Sequence, residues 1–519
     1  MDVKYKKGYF DFCRIILFTY LFCTLACGRV FSILNIQIGS FPVFVTEILL
    51  FLCFPLIVLN IMDACKRLPR YFIFVLSIFF LYGCVYLYRG IINLNLFALR
   101  DIVLCVYILF LPLTLIMFVG FKEMKLFIYI LVAGNIIGLL LGRFVLFSMY
   151  NIYNFRGLHG FPYVFALALG HVRFFNLGLF YGMTVAFIIA MYPLLKLRSH
   201  LAYALLCLTF NFYMFIFMGV RSLWIAVLFL ILFLAINLKM KFIRFTVYFI
   251  PAFLITASIL FYFDFISTNA LTNRVFEKFG SLNFFVKNVI ISKKISPSFP
   301  FTEKYDSKEP SLISSKRNDQ VTNNLKRNDQ VTNNLQSVNK VSSTKSKTKP
   351  IFNLGDLNSY RTDLDNINWR LVVWRDSIEF GMNSFWFGRG FGVYPQYKIW
   401  NYTKPVALGY KSEIIPAHNH LITVFYKMGF CGLTLFVLIN IFVFIYGLRN
   451  LKKCKTVFSR SFLVAALGVF LYWHTLAFFF DVIDSPSSSI FLWIIIGLIF
   501  KIIELESSNL AEPNELRGK

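Results

Sequence analysis

Histidine and acidic residues are scarce in this chain. Six imidazoles serve 519 residues, and 25 Asp and Glu face 52 Lys and Arg. The carboxylates on the face read below as outer are few and scattered, which argues against a two-carboxylate hydrolysis mechanism. There is no H-E-x-x-H, no G-x-S-x-G elbow and no C-x-x-C, so the familiar zinc, serine-hydrolase and dithiol signatures are missing. The ten cysteines lie in apolar runs or short basic loops, and none falls between Phe265 and Ala417. They read as small hydrophobes rather than a disulfide framework or a metal site. Neither metal nor cofactor is expected.

What is abundant is apolar surface. Hydrophobic residues make up 58% of the chain, aromatics 19%, and the mean hydropathy is +0.69. That is the composition of a polytopic membrane protein. The net charge of +27 would suggest nucleic acid in a soluble domain. Here the cations cluster in short loops between apolar runs, which is the membrane pattern, and no nucleic-acid partner is expected. The first run follows Lys4, Lys6 and Lys7 without an Ala-x-Ala-like site and reads as a retained helix rather than a cleaved signal.

Runs of spanning length occur at roughly 12–33, 41–61, 71–88, 96–119, 124–147, 174–194, 201–219, 221–238, 243–264, 419–447, 460–480 and 487–505, each near the ~20 residues a span needs. The expected fold is an all-α polytopic membrane protein of about twelve transmembrane helices, with one large extracytoplasmic loop between helices 9 and 10. Residues 1–264 carry helices 1–9, 265–418 the loop, 419–505 helices 10–12, and 506–519 a cytoplasmic tail. Basic residues follow the second, fourth, sixth, eighth and tenth runs, among them Arg67, Lys122, Lys196, Lys241 and Lys452. With both termini inside, all five loops are cytoplasmic, as the positive-inside rule requires.

The large loop changes character twice. Near 293–349 it is rich in Ser, Thr, Asn and Lys, and Lys316–Leu325 recurs unchanged as Lys326–Leu335. A ten-residue unit without apolar period is too short for a solenoid and reads as a disordered, tolerated insertion. Folded character returns at Asn368. Residues 369–378 look helical, with Trp374 and Ile378 on one face and Arg370 and Arg375 nearer the other. Gly388-Arg389-Gly390-Phe391-Gly392 then reads as a flexible turn. It is not G-x-x-x-x-G-K-[ST] and follows no strand, so its likeness to a phosphate loop is superficial and no nucleotide site is expected here.

The chemistry-bearing residues gather on the outer face. Arg173 and Arg221 each open a membrane helix, and Arg370 lies in the folded part of the loop. Guanidinium is the preferred group for phosphate and pyrophosphate because its planar fork donates to two oxygens. The plainer alternative is an interfacial Arg reaching lipid head groups. His418, Asn419 and His420 open the tenth helix. An imidazole there can serve as a general base near neutral pH, or these residues can simply begin the helix, with Asn419 as its N-cap. His159 is a weaker second candidate, and His474 reads as a packing residue inside helix 11.

Three motifs, in this order, resemble those of the O-antigen ligase and Wzy-type O-antigen polymerase superfamily of bacterial envelope glycosyltransferases. They are Gly219-Val-Arg221-Ser-Leu-Trp at a helix start, Arg370-x-x-x-Trp374 followed by Gly388-Arg-Gly390, and His418-Asn419-His420 leading into Gly429-x-x-Gly432. The resemblance implies metal-independent transfer of a glycan from undecaprenyl pyrophosphate at the periplasmic face of the inner membrane. The acceptor is the lipid A–core oligosaccharide in a ligase and another lipid-linked unit in a polymerase. A protein O-oligosaccharyltransferase is a further variant. Carried over, His418 activates the acceptor hydroxyl while Arg221 and Arg370 hold the pyrophosphate. Arg173, Arg389, Trp374, Asn419 and His420 are the remaining substrate-binding candidates. The family's single His is doubled here, so either His418 or His420 fits the base. A transporter or flippase is the reading from another class; few charged residues within spans and no repeat between halves count against it.

Overall fold

In lipid, every backbone N–H and C=O must find its partner within the protein, so long apolar runs become helices. The computed structural model describes residues 3–28, 31, 34–38, 41–92, 97–153, 175–195, 198–218, 221–267, 370–395, 417–480 and 486–511. These belong to one of two compact units, Met1–Phe276 with Leu364–Lys519; Glu277–Asp363 forms the other and lies outside the described residues. The insertion near 293–349, the tandem repeat, His159 and Arg173 also lie outside them.

All twelve apolar runs carry helix. In chain order these are α1 (Val3–Cys27), α2 (Val45–Lys66) and α3 (Arg70–Ile92), then three short helices α4 (Phe97–Asp101), α5 (Val103–Val106) and α6 (Phe110–Met117). They continue with α7 (Phe121–Tyr153), α8 (Phe175–Met191), α9 (Arg198–Met218), α10 (Arg221–Leu238) and α11 (Met240–Ser267). A helix over 370–382, α12, precedes α13 (His420–Leu451), α14 (Val457–Phe479) and α15 (Pro486–Ala511). Seven helices are long and apolar enough to cross a membrane, and four shorter apolar stretches accompany them, among the residues described.

Two local departures from the sequence reading matter. The second run is not helical from residue 41: strands β1 (Asn35–Ile38) and β2 (Phe41–Phe44) pair antiparallel, and α2 starts at Val45. Pro42 disfavours a helix interior, and the intervening Gly39-Ser40 has the composition of a two-residue hairpin turn. The fourth run is not one rod but α4, α5, a 3-10 turn over Tyr107–Leu109 and α6. Its first break falls just after Asp101, which is buried.

The centre of the bundle is α14 and α15, which are mostly buried, whereas most residues of α2 and α3, of similar or higher hydropathy, are not. Hydropathy therefore separates membrane from water here, not the bundle centre from its lipid-facing rim. Tyr472 of α14 donates its hydroxyl to the Gly178 carbonyl of α8 at 2.6 Å, and Leu223 of α10 packs on the same glycine. One end of α14 is thus tied to the starts of α8 and α10.

Candidate active site

The site is built around the first turns of α13. Asn419 is its N-cap: the side-chain oxygen accepts from the N–H of Leu421 at 3.0 Å and of Ile422 at 3.2 Å. This satisfies donors that a helix start leaves orphaned. The preceding residue, His418, has φ +51°, the left-handed region that few side chains other than Asn, Asp and His enter. The change of hand between 418 and 419 separates the two imidazoles. His418 is partly exposed, while His420 is buried at 2% exposure. The His420 ring sits edge-on to Phe436 and Trp473, with His474 at 5.8 Å. The Ala477 backbone approaches it without reaching full hydrogen-bond geometry.

A ring contact between His420 and Phe436 is impossible on a straight helix, where sixteen residues span about 24 Å. Helix α13 is broken at Gly429, whose φ is +68° and ψ −171°. Its outer leg, His420–Met428, doubles back along the start of the inner leg. Gly429 supplies the left-handed turn, and Gly432 lets Met428 approach without a side chain between them.

Helix α12 closes the other side. Its residues Arg370 and Trp374 are four apart and share a face. The Arg370 guanidinium lies over Phe480 at 5.4 Å, and Trp374 packs edge-on to Phe478 at 5.8 Å. The sequence reading puts Arg370 nearer the opposite face from Trp374; their four-residue spacing sets both on one side, the side that meets the aromatic end of α14. The Trp374 ring N–H is buried and has no hydrogen-bond partner. The last turns of α14, Trp473 to Phe480, are therefore a wall shared by His420, Arg370 and Trp374. Arg221 is the first residue of α10, two positions before Leu223. Through the Leu223–Gly178–Tyr472 contacts its backbone stands at this same end of α14.

The segment read as a flexible turn is the most tightly held loop of the described structure. A straight α13 would pair the Phe430 N–H with the Tyr426 carbonyl and the Cys431 N–H with the Lys427 carbonyl. The break frees all four groups, and residues 385–390 take each of them. Phe430 donates to the Phe385 carbonyl at 2.7 Å and Cys431 to that of Trp386 at 3.1 Å. Arg389 donates to the Tyr426 carbonyl at 2.8 Å and Gly390 to that of Lys427 at 2.9 Å. Four bonds replace two. Gly388 (φ +69°) and Gly429 meet backbone to backbone, and a Cβ on either would collide with the other's chain. From α3, Tyr82 donates to the Met428 carbonyl at 3.1 Å and Tyr86 to that of Phe387.

Beneath the loop lies a group of residues that the sequence reading missed. Lys427 and Asp101 form an ion pair at 2.9 Å, with side chains 0% and 2% exposed. The same carboxylate accepts from the Gly392 N–H and the Tyr394 hydroxyl, each at 2.7 Å. The signal was present: a Lys in an apolar helical run and an Asp in another. Buried ionisable groups in membrane segments pair with one another and mark function more often than chance.

The remaining candidates fall as follows. Arg389 donates through Nε to the Phe380 carbonyl at 3.0 Å and covers the Phe380 ring at 4.8 Å, so it braces its own loop. His474 bonds Asn440 through Nε2 at 3.1 Å inside the bundle, as a packing residue would. Among the described residues, no cluster of His, Cys, Asp or Glu could hold a metal ion.

The chain has no match among curated proteins. Residues 203–437, a stretch that includes Arg221, Arg370, Trp374, His418 and the Gly429 break, match the family model Wzy_C, described as O-antigen ligase; over that stretch the chain is similar to the O-antigen ligase family.

Proposed function

We propose that the protein is an O-antigen ligase of the bacterial inner membrane, with both termini cytoplasmic and its site on the periplasmic face. It moves a glycan from undecaprenyl pyrophosphate to a hydroxyl of the lipid A–core oligosaccharide. His418 takes the proton from that hydroxyl as its oxygen attacks the anomeric carbon. The bond from carbon to the pyrophosphate oxygen breaks, and the pyrophosphate leaves with the electron pair. Arg221 and Arg370 offset the charge that develops on it. Pyrophosphate is already a good leaving group, so no general acid is needed.

The observation that carries this reading is the contrast between the two histidines. His418 is partly exposed on a left-handed backbone, two residues before His420, which is buried among Phe436, Trp473 and His474. Strain of this kind clusters at functional sites. His418 is therefore assigned as the base and His420 as its packing support. In this reading the Trp374 ring N–H, which has no hydrogen-bond partner, donates to the substrate. Asn419 caps the helix that carries His418, and Arg389 holds the loop.

His418→Ala and Arg370→Ala are expected to insert and accumulate normally while losing transfer at least a hundredfold. The assay is lipopolysaccharide banding in a strain lacking the wild-type gene. Wild-type banding from either variant overturns the mechanism. The same gel distinguishes the polymerase reading: loss of a ligase leaves core without O-chain, and loss of a polymerase leaves core capped by a single unit.

A further inference from the structure

The buried Asp101–Lys427 pair lies outside the residues that the transfer chemistry uses, yet its position needs a reason. Lys427 is on the outer leg of α13, whose N-cap, Asn419, directly follows the candidate base His418. Asp101 ends α4, far away in sequence. Between them the Gly392 N–H and the Tyr394 hydroxyl both point at the carboxylate. Three donors from two parts of the chain therefore converge on one acid. The loop they hold, 385–394, occupies the break in α13 and takes over the hydrogen bonds that a straight helix would make across it. If the loop left, the Tyr426 and Lys427 carbonyls and the Phe430 and Cys431 N–H groups could pair with each other again. The outer leg would then swing toward a straight helix and carry its N-terminal end, where His418 and His420 stand, away from Phe436 and Trp473. The loop is also continuous with α12. Gly381 of that helix packs on Phe425 and Tyr426 of the outer leg, while its other end holds Arg370 and Trp374 against α14. The bent and straight forms of α13 thus differ in where Arg370 and His418 stand.

We propose that the Asp101–Lys427 pair, with Tyr394, is a positioning element for glycan transfer: by holding the 385–394 loop in the break at Gly429 it fixes the bent form of α13 and so sets the candidate base opposite Arg370. This inference rests on the transfer reaction proposed above. Charge-assisted hydrogen bonds are roughly twice as strong as neutral ones, which suits a carboxylate to keeping the loop seated. Removing one member of a buried pair leaves an uncompensated charge, whereas replacing both with neutral groups often restores stability. The double neutral variant therefore separates positioning from folding.

The test uses the full-length protein in vesicles with a polyprenyl-pyrophosphate-linked oligosaccharide as donor, comparing wild type, Tyr394→Phe and Asp101→Asn/Lys427→Met. Three quantities are read: accumulation, hydrogen exchange across 385–394, and kcat and donor KM per folded molecule. Both variants are expected to accumulate near the wild-type level with faster exchange in the loop. In the double variant kcat falls at least tenfold while KM shifts less than twofold; Tyr394→Phe shows a smaller fall of the same kind. A wild-type kcat in the double variant overturns the proposal, because the pair would then be structural only. A reduced kcat with unchanged loop exchange also overturns it, because the pair would not be acting through the loop. A wild-type protein that transfers nothing in this assay refutes the enzymatic reading instead, and the exchange data still report whether the pair holds the loop.

Discussion

At the N-terminal end of α14, Thr456 caps the helix through the Ser459 N–H at 3.1 Å, and Glu506 of α15 closes the network. One Glu506 oxygen accepts from the Lys455 and Thr456 N–H groups at 2.7 and 2.9 Å, and the other from the Thr456 hydroxyl at 3.1 Å. At the C-terminal end the same helix offers aromatic rings to a guanidinium, an indole and an imidazole. There the Trp374 ring N–H and both His420 nitrogens are buried without a full hydrogen bond. Unsatisfied buried groups each cost about 1–3 kcal/mol, so a protein shaped by stability alone would pair them. One end of α14 is closed by hydrogen bonds to its cap and to α15, and the other meets its neighbours mainly through aromatic rings.

Predictions that test this contrast run from drastic to negligible. Gly429→Val is the most severe, because a Cβ there strikes the Phe387 and Gly388 backbone and φ is +68°. It is expected to abolish accumulation of folded protein, measured by detergent-extracted size exclusion. A folded, monodisperse variant would show that the bend in α13 is not required. Glu506→Ala strips two backbone N–H groups of their acceptor and should cost on the order of 2 kcal/mol or more. A lower Tm with unchanged transfer per folded molecule is expected; lost transfer at full stability would erase the distinction between the two ends. Trp374→Phe keeps a ring against Phe478 but deletes the unpaired N–H. Transfer should fall severalfold with Tm unchanged, and an active variant would mean that this N–H meets no substrate. Deleting Lys316–Leu335 should change neither stability nor transfer, and a stable but inactive deletion would give the repeat a role.

Much of the architecture was legible because lipid leaves the chain few options. Twelve apolar runs became helices, and the Arg370-x-x-x-Trp374, His418-Asn419-His420 and Gly429-x-x-Gly432 motifs fall at one shared end of α14 or at the bend beside it. What stayed hidden depends on contacts distant in sequence. Hydropathy carries no sign of the reversal at Gly429, because the two legs together read as one continuous apolar run. The Gly388–Gly392 segment reads as flexible by composition, and only the four backbone groups freed in α13 make it rigid. Arg370 belongs on the face of α12 that its i,i+4 spacing to Trp374 already implies, and the reading of residues 369–378 sets it nearer the other. Asp101 and Lys427 were each passed over as single charges, and their meaning lies in the pairing.

That pairing also bears on the order in which the protein is made. A Lys in an apolar membrane segment is costly to place without a partner. Its acid precedes it by 326 residues, so in synthesis from the N-terminus Asp101 is in place long before Lys427 leaves the ribosome. The segment 385–394 is also made first. When α13 finally enters, its counter-charge and the loop that fits its bend have both been synthesised, and the helix that carries the candidate base is the one whose seating depends on them.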